Sequence, residues 1–247
     1  MERPLDRPQA ELLCADLESV DLAIEVGADR IELCAAPEVG GLTPGAGLLD
    51  AAVEAVGGRL GVVALVRPRV GGFQLRGPRE LGALVADVRA ARAAGACGVA
   101  VGALRSDGAL DVEAMAEVLS AAEGMAVTLH RAIDLTPDPV ATLEIAAGLG
   151  VSRVLTSGAA ATALEGAETI KALVEAARAR VEVIAASGVR GANAAEVLRR
   201  TAAGALHGSC AGAVVDAPGL GMGALRPMDP SEAAGLVAAV RAAGPER

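Results

Sequence analysis

The chain holds two histidines, His130 and His207, and each stands at the end of a short apolar run. Val127-Thr128-Leu129 leads into His130-Arg131, with Asp134 four residues beyond the histidine. Ala205-Leu206 leads into His207-Gly208-Ser209-Cys210. Histidine titrates near neutrality, so His130 is a candidate general acid or base and equally a candidate metal ligand. Glu11, Glu32 and Asp134 complete a candidate catalytic set around it, with Glu11 or Glu32 orienting the imidazole or shuttling its proton. His207 beside Ser209 suggests a ligand-contacting loop. Its H-x-x-C spacing to Cys210 invites a metal or nucleophile reading, but no second ligand pair lies close in sequence.

Three arginines at the ends of apolar runs stand out in an acidic chain: Arg67, Arg131 and Arg190. The planar guanidinium fork suits a carboxylate or a phosphate. Ser157-Gly158 and Ser187-Gly188 are small loops that enter helical stretches, where backbone N–H groups can hold an anion. Arg67, Arg131, Ser157, Ser187, Gly188, Arg190, His207 and Ser209 therefore form a candidate substrate-binding set for a small anionic ligand. The other arrangement open to the arginines is mutual pairing with Glu11, Glu32 and Asp134, since buried charges need partners.

Four cysteines occur, at 14, 34, 97 and 210, with no C-x-x-C pair, so reduced thiols are expected. Thiolates suit a soft ion such as Cu(I). Cys14 and Cys34 are the candidate metal ligands because they fall on adjacent apolar runs. Packing is the alternative role for both, and the expected one for Cys97.

These groups need elements to hold them. Short β-branched runs alternate with longer stretches of helical period. Strands are predicted at 11–15, 30–34, 61–66, 98–102, 126–130, 153–156, 181–185 and 205–207. Helices are predicted at 19–26, 48–56, 78–94, 111–122, 139–149, 163–179, 193–202 and 231–243. Asp111 and Ser231 suit N-caps, and Pro139 suits a first helical turn. Gly27, Gly95, Gly150 and Gly204 suit left-handed helix ends. Eight strand–helix units in this length match an α/β fold, the TIM-type (β/α)8 barrel, as one domain over 1–247. An open doubly wound sheet is the rival pattern. A barrel places its chemistry at the C-terminal ends of the strands, and its phosphate sites after strands seven and eight.

Composition narrows the partners. Of 247 residues, 53% are hydrophobic and 21% charged, which allows a sizeable core. The net charge of −9 disfavours nucleic acid and anionic membranes as partners. Polar residues interrupt every apolar run before it reaches membrane length. The start, M-E-R-P-L-D-R-P, lacks the apolar core of a signal peptide, so a cytoplasmic location is expected. Ala-rich helix faces permit close packing between copies, and a homo-oligomer is expected.

Several motifs occur in one order along the chain: G-A-D-R-I-E-L-C (27–34), G-G-L-T-P (40–44), R-P-R-V-G-G-F (67–73), V-T-L-H-R-A-I-D (127–134) and R-V-L-T-S-G (153–158). With A-L-E-G (163–166) and H-G-S (207–209), they resemble the CutC copper-homeostasis family. The resemblance implies a TIM-type barrel and a cytoplasmic role in copper homeostasis, with copper bound through cysteines. Arg67, His130, Arg131, Asp134, Ser157 and His207 match the family's pattern, as does Cys34. The first strand departs from it. The family often carries E-x-C there, whereas this chain has Glu11-Leu12-Leu13-Cys14, with Leu13 in the matching place. Residues two apart share a face of a strand, so Cys14 is expected to point away from that face.

Overall fold

The computed structural model describes residues 7–216, 219 and 223–244. Eight parallel strands close on themselves: β1 (Gln9–Cys14), β2 (Arg30–Leu33), β3 (Gly61–Leu65), β4 (Gly98–Val101), β5 (Ala126–Leu129), β6 (Arg153–Thr156), β7 (Glu182–Ala185) and β8 (Ala205–Gly208). Each strand pairs with the next in sequence, and β8 returns to β1 with Glu11 opposite His207. Eight helices follow the strands: α1 (Leu17–Val26), α2 (Ala46–Val56), α3 (Pro78–Ala93), α4 (Val112–Ala122), α5 (Pro139–Leu149), α6 (Ala167–Ala177), α7 (Gly191–Thr201) and α8 (Pro230–Ala242). This is the expected (β/α)8 barrel rather than an open sheet.

The helix ends explain where the chain turns. Asp111 and Asp138 cap α4 and α5 by accepting the N–H groups of Ala114 and Ala141, both at 3.0 Å. Three expectations need correction. Asp229, not Ser231, caps α8, because its carboxylate accepts both Ser231 and Glu232 N–H while Pro230 fills the first helical turn. Ala202, not Gly204, takes the left-handed turn after α7, at φ 54°. Gly204 is small for a different reason: a Cβ there would lie 3.1 Å from the Glu182 side chain. Helix α6 also begins four residues later than its pattern suggests, because Gly158 and Gly166 clamp the preceding loop. A Cβ on Gly158 would come within 2.2 Å of the Gly166 carbonyl oxygen.

The barrel wall has two faces. Leu12, Ile31, Leu33, Val62, Val99, Val101, Leu129 and Leu206 point outward into the layer beneath the helices and form the main core. Burying a side chain of this size contributes about 1.5–3 kcal/mol each. The inner face is mixed. Cys34, Val63, Leu65 and Ala100 form one apolar cluster with Leu13 against it, and Leu155, Ile184, Ala186 and Ala205 form another. Buried charges also lie inside: Glu11, Arg30, Glu32 and Arg153.

Candidate functional site

The strand register gathers the inner charges into a network at the base of the barrel. Glu11 and Arg30 face each other across β1 and β2, and Arg30 Nε donates to Glu11 Oε2 at 2.5 Å. Arg30 also donates to Gln9 Oε1 and forms an ion pair with Glu182 at 3.3 Å. Arg153 donates to the same Glu182 carboxylate at 3.0 Å. The second oxygen of Glu11 meets His207 Nδ1 at 2.7 Å, and His207 Nε2 lies 3.9 Å from Glu32.

The electrostatics of this chain of groups diverge. Burial opposes the charge on Glu11, yet Arg30 and His207 outweigh it and hold the carboxyl down to about 2. Burial pushes Glu32 up to about 7 against the pull of His207, and the charge of Glu11 adds to the rise. Burial also works against a charged His207. Its hydrogen bond to Glu11 and the charges of Glu32 and Glu11 prevail and raise its pKa. One carboxylate is thus firmly ionised, and its neighbour exchanges a proton near neutral pH.

Above this network opens a cavity of ≈ 330 Å³ at the C-terminal ends of the strands. Glu32 and His207 reach it from below, and His130, Arg67, Arg131, Ser187, Gly188, Arg190 and Ser209 line its walls and rim. Nine of the residues singled out from sequence therefore meet in one place. Arg67 has no carboxylate partner among the described residues. Its guanidinium donates to the carbonyls of Val39, Gly41 and Gly71 and stacks 5.4 Å from the Phe73 ring. Ser187 is held at φ 78°, a left-handed conformation rare for a non-glycine residue, where the chain turns toward α7.

His130 closes β5 and begins the 3₁₀ turn Arg131–Leu135. Its Nδ1 accepts the N–H of Ala132 at 3.2 Å, and Phe73 packs on the ring with centroids 4.5 Å apart. Burial, helped by the charge of Arg67, lowers its pKa to about 4, so the ring is neutral at pH 7. Phe73 ends the motif at 67–73 but is not among the site residues expected from the sequence, although its being the one phenylalanine in a chain without Trp or Tyr is a signal.

The remaining candidates sit elsewhere. Glu11 lies below the cavity and meets it only through His207. Asp134 does not reach the cavity, because the 3₁₀ turn aims it at the loop after β6. There it accepts Thr156 Oγ1 at 2.5 Å and the N–H groups of Ser157 and Ala159, and it pairs with Arg131 at 2.9 Å. Burial alone would lift its carboxyl, but these donors hold it below the usual carboxylate range. Ser157 is buried behind Arg131, which donates to its hydroxyl at 2.9 Å. The arginines thus divide between the two arrangements open to them: Arg131 pairs with Asp134 and Arg190 lies 3.6 Å from the Glu232 carboxylate, whereas Arg67 has no carboxylate partner among the described residues.

The thiols do not assemble a copper site. Cys14 faces outward, as Leu13 in the matching position predicts, and its Sγ donates to the Ser19 carbonyl at 3.4 Å. Cys34 faces inward, fully buried, in a separate cluster. Burial pushes both thiols up to about 12, which disfavours the thiolate that binds metal. Among the described residues no three His, Cys, Asp or Glu side chains are grouped to hold a metal ion. The residues present therefore do not fit a copper centre built on Cys14 and Cys34. No described helix is long and apolar enough to cross a membrane.

The CutC family model matches residues 9–212. The chain belongs to the CutC family. A CutC family protein of Caulobacter vibrioides is 43% identical over 203 residues, covering 82% of this chain and 81% of that one. A human protein named copper homeostasis protein cutC homolog is 40% identical, over 79% of this chain and 71% of the relative. Among solved structures, a Streptococcus agalactiae chain named as a CutC copper homeostasis protein superposes with a TM-score of 0.78 at 28% identity. It covers 82% of this chain and 98% of its own length. A thiamine phosphate pyrophosphorylase from Pyrococcus furiosus, at TM-score 0.62 and 15% identity, shares the fold alone. It spans 96% of this chain and 97% of its own. The CutC match takes in all eight strands, the cavity and its base.

Proposed function

We propose that this CutC family chain is an enzyme acting on a small anionic substrate, phosphorylated or carboxylated, at the C-terminal mouth of the barrel. The observation that carries the reading is the cavity itself. It places a carboxyl that titrates near neutrality, Glu32, beside His207, opposite an anion-suited rim of Arg67, Arg190 and the Ser187-Gly188 turn. A group that both takes and gives a proton at pH 7 is what general acid–base catalysis needs. Perturbed titrations inside a cleft favour a catalytic role over a purely structural one. His130 and Glu32 contact the substrate, Glu11 positions His207, and Arg67 and Arg190 receive the negative charge. Isothermal titration with inorganic phosphate and with malonate tests the reading. Binding of at least one, weakened about tenfold or more in Arg190→Ala, is expected. A folded protein that binds neither anion at millimolar concentration rejects it.

A second reading, copper homeostasis through direct binding of copper ions, is favoured by the names of the relatives. In that reading the protein works in the cytoplasm, as a homo-oligomer, with Cys34 and Cys14 as thiolate donors. The opposed directions of the two side chains argue against a shared ion. Anaerobic Cu(I) titration against a competing chelator separates the readings, because the enzyme reading expects no dependence on either thiol.

A further inference from the structure

The cavity holds two polar groups whose complementary states point to a class of reaction, and the inference rests on the anion-pocket reading above. The first is His130. Its Nδ1 lone pair is used by the Ala132 N–H, so the neutral ring carries its hydrogen on Nε2. That nitrogen is buried without a hydrogen-bond partner in a side chain only 4% exposed, and the ring lines the cavity. The ring is held from both sides. Phe73 packs on it at 4.5 Å, and a Cβ at Gly102 would lie 2.7 Å from its Cε1. A fixed, buried N–H without a partner costs about 1–3 kcal/mol, and it calls for an explanation such as a ligand atom that completes it. The second group is the Glu32 carboxylate, which lines the same cavity from β2.

An imine mechanism has no residue to run on. The chain's one lysine, Lys171, lies exposed on the outer helix α6. Carbonyl chemistry here must instead polarise the oxygen by a hydrogen bond. We infer that the cavity enolises a small carbonyl compound bearing a phosphate: Glu32 takes a proton from the carbon next to the carbonyl, while His130 Nε2–H donates to the carbonyl oxygen. The C–H electron pair becomes the new C=C bond. The carbonyl π pair moves onto oxygen, where the His130 N–H stabilises the growing negative charge. For an α-hydroxy carbonyl the intermediate is an enediolate, and Glu32 returns the proton either to the original carbon or to the former carbonyl carbon as the neighbouring hydroxyl proton passes to the first oxygen, so no oxidant, reductant or second reactant is needed. The phosphate lies at the Ser187-Gly188 turn beside Arg190, in the loop after β7, where barrels of this class hold phosphate.

The test compares three probes on the full chain: 2-phosphoglycolate, its hydroxamate as a planar mimic of the enediolate, and malonate as a phosphate-free dianion. The hydroxamate is expected to bind about a hundredfold more tightly than 2-phosphoglycolate and to move the His130 Nε2–H proton resonance downfield. His130→Ala, or His130→Phe if the smaller side chain fails to fold, is expected to collapse that ratio to near unity. Either variant should weaken 2-phosphoglycolate much less than it weakens the hydroxamate. Equal affinity for the two phosphate compounds, or a ratio that survives both variants, overturns the inference. Binding of malonate alone overturns it too, yet leaves the anionic-substrate reading standing. Binding of none of the three overturns both.

Discussion

The base and the mouth of the barrel are both buried and both polar, but they treat charge in opposite ways. At the base, Glu11, Arg30, Glu182 and Arg153 each have an opposite charge within 3.3 Å, and His207 is clasped to Glu11 at 2.7 Å. At the mouth, His130 Nε2 and Arg67 Nε are buried without a hydrogen-bond partner and with no carboxylate paired to either side chain among the described residues, whereas Arg30 Nη2 at the base, also without a hydrogen bond, has Glu182 3.3 Å away. The two histidines record the contrast, because Glu11 and Glu32 raise the pKa of His207 while burial lowers that of His130. A compensated network holds a fold in place. An uncompensated one is a place for something else to bind. Glu32 sits at the boundary, 3.9 Å from His207 and open to the cavity.

The contrast can be broken at its strongest point first. Arg30→Ala leaves Glu11 buried without its main partner and is expected to destabilise the protein by about 3–5 kcal/mol in urea unfolding. Removing both charges, as Glu11→Gln with Arg30→Met, should recover much of that loss. A single-variant cost below about 1 kcal/mol would mean that the base is not the compensated network described. Next comes His130. Its pKa is about 4 in the folded protein against an ordinary 6.5. Between those values the unfolded chain binds the proton and the folded one does not, so stability falls as pH drops from 6.5 toward 4. The full contribution is roughly 3 kcal/mol. Glu32 and His207, whose pKa values are raised, add stability as pH drops through the same window, so the His130 contribution is read as a difference: between pH 7 and pH 4.5 the wild type should lose more, or gain less, in unfolding midpoint than His130→Phe.

Smaller effects sharpen the boundary. Asp134→Ala strips the β6 loop of the acceptor for Ser157 and Ala159 N–H and should cost about 2 kcal/mol by thermal or urea unfolding. The smallest change is expected for Cys14→Ser with Cys34→Ser. Cu(I) affinity in a chelator competition should stay within about twofold of wild type. A drop of about tenfold or more would restore the thiols as a shared copper site.

Much of this was legible before any coordinates. Strand and helix limits follow from apolar runs and punctuating glycines, and β6 and α5 end where the pattern places them. The two-residue period of a strand puts Leu13 and Cys14 on opposite faces, and the structure shows that Cys14 is the one turned outward. Asp134 shows where sequence reasoning stops. Four residues from His130, it invites a catalytic pairing, but a short 3₁₀ turn redirects it to a neighbouring loop. The Glu182 bridge between Arg30 and Arg153 joins three strands that are not contiguous in sequence. Phe73 meets His130 across 57 residues of chain, a contact that spacing alone does not reveal.

That lone phenylalanine has a practical consequence. A chain without tryptophan or tyrosine is nearly transparent at 280 nm, so a chromophoric ligand can be followed against almost no protein background. The Phe73 ring protons also stand alone in the aromatic region of a proton NMR spectrum, apart from those of two imidazoles. Because the ring lies against His130 and beneath Arg67, it is a built-in probe of the mouth. Its resonances will register occupancy there without any label.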